Sequence, residues 1–506
     1  MGANDQSDYG PTWYSAVTPL PPPRGPLNYD LDVDVCVIGG GLAGLTVARE
    51  VARRGWSVAV AEARRIAWNA SGRNSGFVLP GYSAQIEKIV ERIGLPATKA
   101  LWKLSEAGVQ YIRDTIGEIG AGGLMEGRGW LDVSKMPDDG RGLARASLLE
   151  QEMGATVECW PTEQVREALR TSRYFEACYF PSAFQINPLA YALGLADAAE
   201  RAGVRIFENT PAAGVDPAGV RKRIETPQGR VRAGHVVLAG NIHLGAVVQR
   251  LAETLVPVTA FTGVTHGLGE GLTEAVAFRG AVSDSRHANY HYRVIGGDRL
   301  LWTGSASIGP GSKWIRKGLE RALRATYPQL GPVQFEHFWP AEMGFSVHRM
   351  PQIGEVQPGV WLASAFGGQG LNTAAMAGNL VARAIVEGDD TWRRFLPFEL
   401  VWAGGRVGRM VARATAWWRH QSEQVAALAV RQREELRRRQ EGKRKAGLAK
   451  TAPAPDYEQA TALKRLLKGS RTAGELDRPI GAPEALPSVG LDTMSTSSPP
   501  EGTRQL

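Results

Sequence analysis

Cysteine is scarce in this chain of 506 residues: Cys36, Cys159 and Cys178 are far apart and odd in number. Neither a disulfide framework nor the paired spacing of a zinc site can be built from them, and a reducing cytoplasm is the expected setting. Long apolar runs are also missing. None reaches the roughly 18 residues that a spanning helix needs, and MGANDQSDYGPTWY at the start lacks the basic and apolar regions of a signal peptide. Gln6 stands where a myristoylation signal wants Ser or Thr. A strong charge bias is absent from most of the chain as well. The net charge of +8 is local, because residues 401–450 hold 13 Lys and Arg against 4 Asp and Glu, leaving 46 basic and 47 acidic residues elsewhere.

What is present suggests an α/β protein with mixed sheets. A Pro-rich leader, PLPPPRGP, separates an N-terminal arm (1–30) from the first strand, since proline cannot supply ladder hydrogen bonds. From Asp32 to about Asp390, strands punctuated by glycine alternate with helical patterns. Beyond Phe398 the apolar residues Val401, Val407, Met410, Val411, Ala414, Trp417 and Trp418 recur near helical spacing. This predicts basic helices over 391–440 that pack one face on the body. Residues 441–506, rich in Ala, Pro, Ser and Thr, are expected to be largely disordered.

The most specific segment is VDVCVIGGGLAGLTVAREVARRGWSVAVAEA. An apolar strand runs into Gly39-x-Gly41-x-x-Gly44, a helix follows, and a second strand ends at Glu62. In such a unit the first glycine makes the tight turn, the second admits a pyrophosphate to the backbone, and the third lets helix and strand close up. The helix N-terminus attracts the phosphates, and Glu62 is placed to accept from a ribose diol, which disfavours a 2′-phosphate. Two further segments extend this cradle. Ser71-Gly72-Arg73-Asn74-Ser75-Gly76 supplies small residues, amides and one cation able to cross a phosphate or flavin edge. The glycine-rich turn Gly367-Gly368-Gln369-Gly370 opens a second helix, whose dipole would favour a reduced, anionic flavin.

At these residues the sequence resembles the FAD-dependent amine and amino-acid oxidase family that includes D-amino-acid oxidase, sarcosine oxidase and glycine oxidase, most closely its gamma-glutamylputrescine-oxidase-like branch. The resemblance spans residue 10 to about 425. It is carried by the aromatic arm Trp13 and Tyr14, IGGGLAGL with Glu62, ASGRNSG, MPQIGE with GGQGLN, and more weakly VSDSRHANYHYRV with GDRLLWTG. It implies a Rossmann-type FAD-binding domain (31–105, 180–255 and 345–390) interleaved with a substrate domain (106–179 and 256–344) built on a large mixed β-sheet over the flavin. It also implies that Gly39, Gly41, Gly44, Glu62, Ser71, Arg73, Asn74, Gly76, Gly368 and Gly370 line the cofactor, with Leu42, Ala43, Ala63, Gly72, Ser75, Gly367, Gln369 and Leu371 beside them. Ala212 would touch the cofactor through its backbone.

Hydride transfer from a C–N bond to flavin asks the protein chiefly to orient a neutral amine. Candidates for that task are His291, Tyr292 and Arg293, in an aromatic and basic stretch with Tyr290 and Trp302, and Arg349, able to anchor a substrate carboxylate. Each has a plain structural alternative, and His348 reads first as a hydrogen-bonded core histidine. Some relatives place a lysine over the flavin, yet no lysine occurs between Lys222 and Lys313. If oxygen is the acceptor, His291, Arg293 or His348 would supply the positive charge; an electron carrier is the other acceptor. Trp68 and Asn69 precede ASGRN without His or Cys, so FAD is expected to bind non-covalently. The expected activity is oxidation of a small amine or amino acid, such as a gamma-glutamyl amine or an N-substituted amino acid, to an imine that hydrolyses. Two other readings stay open: oxidation of a modified RNA base, and a non-catalytic flavin-binding scaffold or sensor. The basic C-terminal region could contact an anionic partner or membrane surface.

Overall fold

In the computed structural model, residues 9–120, 125–137, 141–284, 290–306, 312–405 and 408 are described. Two sheets carry the architecture. The first runs Gln352–Gln357, Val360–Ser364, Arg230–Leu238, Leu31–Ile38, Val58–Ala61 and Arg205–Phe207, with Lys222–Glu225 and Gly214–Asp216 attached at one side. Leu31–Ile38 lies parallel to both neighbours, pairing Val37 with Val237 and with Val60. The continuous apolar run of this strand follows from its burial on both faces. The strand order reverses between Leu31–Ile38 and Arg230–Leu238, a switch point at whose carboxyl ends a crevice opens.

Helices close over this sheet by exchanging bulk for small residues. Leu42–Arg53 is buried from Leu42 to Ala52, and the long helix Gly370–Glu387 crosses it where a Cβ on Gly378 would come within 2.5 Å of the Thr46 Cβ. Leu95–Glu118 packs on the same long helix through Gly108, where any side chain would strike the Asn372 carbonyl. Glycine at these crossings permits backbone approach that a side chain would prevent.

The second sheet runs Phe335–Phe345, Val256–Thr265, Arg299–Ala306, Tyr290–Ile295, Ala281–Asp284, Met125–Val133, Ala177–Ile186 and Phe77–Val78, with Glu158–Trp160 on its side. Its membership departs from the segment boundaries read from the sequence. The expected division at 179/180 falls inside Ala177–Ile186, and Phe77–Val78, from the segment expected to bind cofactor, joins this sheet. One face packs on Ser312–Thr326 and a core containing Tyr292, Trp302, Tyr327 and Phe335; the other looks toward the first sheet.

The arm 9–30 is tied down. Tyr14 is fully buried against Trp339, and Arg73 donates to the Tyr9 carbonyl. Thr391–Phe395 forms a short 3₁₀ helix and 396–404 are irregular, so in this part of the segment expected to be helical only the first five residues are. Val401, the one described member of the expected apolar face, is 38% exposed. The other members of that face and the 441–506 tail lie outside the described residues. Among the described residues no helix is long and apolar enough to cross a membrane.

Candidate active site

One cavity of about 2560 Å³ lies between the two sheets, lined from both. Its first wall is the strand–turn–helix at Gly39 to Gly44. Gly39 adopts φ +111, and a Cβ there would lie 2.9 Å from the Ala239 carbonyl. Gly41 caps Leu42–Arg53 without a side-chain hydrogen bond, and a Cβ on it would come 2.9 Å from Ser71 Oγ, which accepts from the Leu42 N–H. Glu62 is buried, its oxygens accepting from the Gly40 N–H at 2.6 Å and the Arg64 N–H at 2.9 Å. Burial raises its pKa, while those two hydrogen bonds oppose the rise. With the Ala63 amide also directed at it, the carboxylate keeps acceptor capacity for one incoming hydroxyl.

The long helix Gly370–Glu387 brings a second N-terminus, again without a side-chain cap, to the same cavity. Arg64 and Arg73 both pack against the Trp68 ring and line the wall, adding positive charge. Burial lowers the pKa of Arg73, whose buried Nε has no hydrogen-bond partner among the described residues. Two helix N-termini, glycines at the wall, a carboxylate with acceptor capacity left and an unspent guanidinium donor fit the phosphates and ribose of FAD.

Gly39, Gly41, Leu42, Ala43, Glu62, Ala63, Ser71, Arg73, Asn74, Ser75, Ala212, Gly367, Gly368, Gln369, Gly370 and Leu371 all line the cavity. Three expected positions do not, and serve packing instead. Gly44 faces the Gly39 carbonyl, Gly72 the Ala67 carbonyl and Gly76 the Ile186 carbonyl, each too close for a side chain. Asn74 folds the loop on itself, donating to the Ala70 and Ser71 carbonyls and accepting from the Gly76 N–H.

The residues expected to position substrate separate. Tyr290–Ile295 alternates, so Tyr292 points away from the cavity, stacks on Trp302 at 4.4 Å and shares a 2.9 Å hydrogen bond with Tyr327. Arg293 is on the cavity face but 1% exposed, its guanidinium donating to the Ser75 and Ile186 carbonyls. It braces the ASGRNS loop and does not line the cavity. Arg349 lies at the cavity wall, exposed, at φ +62. His348 also lines it, but accepts from the Met350 N–H on Nδ1, which leaves Nε2 to donate to the Glu399 carbonyl. It is a structural histidine with a pKa lowered by burial.

His291 does face the cavity. Ser283 Oγ accepts from Trp130 Nε1 at 2.8 Å and shares a 2.6 Å hydrogen bond with His291 Nδ1, which fixes the imidazole ring. Burial pushes the His291 pKa down to about 4, against the attraction of Asp132. Near neutral pH His291 is therefore uncharged, and burial works against a positive charge on His348 as well. A folded pKa below the ordinary 6.5 means that the unfolded chain takes the proton first, so His291 weakens stability as pH falls from 6.5 toward 4. The expected result is a flatter dependence of Tm on pH across that window in His291→Asn than in the parent, measured by thermal melts at matched ionic strength.

Sequence reasoning missed the neighbours of His291. Register aligns Asp132 with Ser283, Ser283 with His291, His291 with Thr303 and Thr303 with Thr262, one transverse row on the cavity face. Thr303 Oγ1 is 2.8 Å from Ser75 Oγ and 2.9 Å from Thr262 Oγ1. A carboxylate inside the apolar strand GWLDV was the available signal.

Comparison with known proteins gives concordant results. Residues 34–384 match the model of the family described as DAO, FAD dependent oxidoreductase. The chain is 28% identical over 395 residues to gamma-glutamylputrescine oxidoreductase of Escherichia coli (strain K12), covering 76% of this chain and 90% of that protein. It is 24% identical over 392 residues to glycine oxidase of Geobacillus kaustophilus (strain HTA426), covering 74% and 98%. Among solved structures, L-proline dehydrogenase from P. horikoshii superposes with a TM-score of 0.59 at 19% identity, over 74% of this chain and 100% of that one, a likeness of fold.

Proposed function

Because this chain belongs to the DAO family of FAD-dependent oxidoreductases, we propose that it oxidises the C–N bond of a small amine or amino acid at the cavity between its two sheets. The observation that carries this reading is the opposition, across one cavity, of two open helix N-termini with Glu62 and the polar row Asp132, Ser283, His291 and Thr303. When bound there, non-covalently, FAD supplies a two-electron acceptor for hydride from the carbon bearing nitrogen.

The protein's own part is orientation. Glu62 and the glycines hold the dinucleotide, while the N-terminus of Gly370–Glu387 and Arg73 offset negative charge. His291, neutral and fixed by Ser283, lines the cavity and cannot repel a cationic amine. The two-threonine bridge to Ser75 ties the substrate sheet to the cofactor loop. The imine product hydrolyses to a carbonyl compound. Within this class, gamma-glutamyl amines and N-substituted amino acids are the substrates to try first, given the kinship with gamma-glutamylputrescine oxidoreductase.

The test is anaerobic mixing of the yellow protein with gamma-glutamyl amines, polyamines, and N-methyl and D-amino acids. Bleaching of the flavin band by at least one class is expected. Fast recolouring in air with peroxide would identify an oxidase, and slow recolouring a dehydrogenase that uses a carrier. A flavin left oxidised by every amine would overturn the proposal.

A further inference from the structure

We propose that Asp132 is a specificity-determining residue, accepting a hydrogen bond from a second, cationic ammonium group of an amine substrate. This rests on the amine-oxidising reading of the same cavity. Asp132 sits near the end of Met125–Val133, 6% exposed and lining the cavity. Its Oδ2 pairs with Arg145 at 2.5 Å; its Oδ1 is buried and accepts from nothing among the described residues.

The rest of the row is committed. Ser283 Oγ already joins Trp130 and His291, Thr303 joins Ser75 and Thr262, and the Cys178 thiol points at the Gly142 carbonyl at 3.5 Å. A buried carboxylate oxygen left without a donor is costly and uncommon in folded proteins, so the vacancy is one for a donor that arrives with the ligand. A charged N–H makes a stronger bond to carboxylate than a neutral one. Arg145 holds Oδ2 and leaves Oδ1 unspent, and His291, the titratable member of the row beyond Ser283, is neutral. Two strand spacings separate Asp132 from His291, roughly 10 Å. A ligand reaching both is therefore extended, with its second cation set off from the nitrogen at the reacting end.

The probes are 1,4-diaminobutane and 1-aminobutane, of equal carbon length, titrated under anaerobic conditions into the FAD-loaded full chain. Perturbation of the flavin absorbance reports binding and bleaching reports turnover. The parent should bind the diamine at least tenfold more tightly than the monoamine. Asp132→Asn should reduce that ratio to within twofold, and Asp132→Glu should restore part of it. Flavin content and Tm report folding; should Asp132→Asn lose its flavin, Asp132→Ser carries the same comparison. A parent ratio near one, absence of a diamine-dependent signal in the parent, or a ratio untouched by Asp132→Asn overturns the assignment and leaves Oδ1 to a bound water. If the ratio collapses as expected while no amine bleaches the flavin, amine oxidation fails and the ammonium site stands.

Discussion

A Gly44→Val protein is expected to purify without its yellow colour. Gly44 lies in the first turns of Leu42–Arg53, directly over the Gly39 carbonyl, and Val37 Cγ1 is 3.1 Å from where a Cβ would sit. Any side chain there must push the helix off the strand, and overpacking of this kind typically costs about 1–3 kcal/mol. The same displacement moves the open N–H groups of the helix and the Gly40 donor to Glu62, both parts of the cofactor cradle. Affinity for FAD should fall at least about tenfold, the equivalent of about 1.4 kcal/mol, measured by flavin content on purification and by titration of the apoprotein. Gly271→Ala is the matched control. That position is exposed, on the short helix Glu270–Ala275, with nothing within 4 Å of a new Cβ. Full flavin retention by Gly44→Val would refute the role assigned to this crossing.

Arg65→Ala should cost about 3–5 kcal/mol, the range for removing one partner of a buried ion pair. Arg65 and Glu208 are 3.0 Å apart with side chains 2% and 0% exposed. Glu208 also accepts from the Ile66 N–H at 2.8 Å and the Arg24 N–H at 2.7 Å, and Arg65 donates to the Pro21 carbonyl at 2.7 Å. This pair therefore fastens the Pro-rich leader to the cofactor-side sheet. Without the guanidinium, two backbone donors remain to hold a fully buried carboxylate. Chemical denaturation should show the loss as a lower midpoint, and proteolysis should cut first in residues 20–26. The exposed pair Arg230–Asp30 has nearly the same separation, 2.9 Å. Replacing Arg230 with Ala should leave the midpoint where it is, because solvent screens that pair. Equal behaviour of the two variants would mean that burial does not decide the matter here.

The contiguous parts of the site were legible from residue order. Strand, glycine turn, helix and terminal acid follow one another within residues 31–62, and the Gly40–Glu62 hydrogen bond closes that unit on itself. Local chemistry therefore specifies them: glycine where φ is positive or two backbones meet, and an acid where a strand ends. The glycine turn before Gly370–Glu387 was legible for the same reason.

Where sheets meet, residue order says less. Alternation in YHYRV sorts Tyr290 and Tyr292 from His291 and Arg293, but nothing in five residues says which face meets a cavity and which meets Ser312–Thr326. That depends on layer packing, so Tyr292 became core and Arg293 a brace for a loop more than 200 residues away. Gly72 and Gly76 read as cofactor contacts for a similar reason, since a required glycine looks the same whether a ligand or the Ile186 carbonyl lies opposite. The row from Asp132 to Thr262 was beyond sequence reading altogether. Its members come from five strands, and only the register between them puts a carboxylate, a hydroxyl and an imidazole side by side. The sequence alone thus determined the strand, glycine turn and helix of one cavity wall, whose order is local, while tertiary structure decided the facing wall, whose interactions exist only once distant strands have paired.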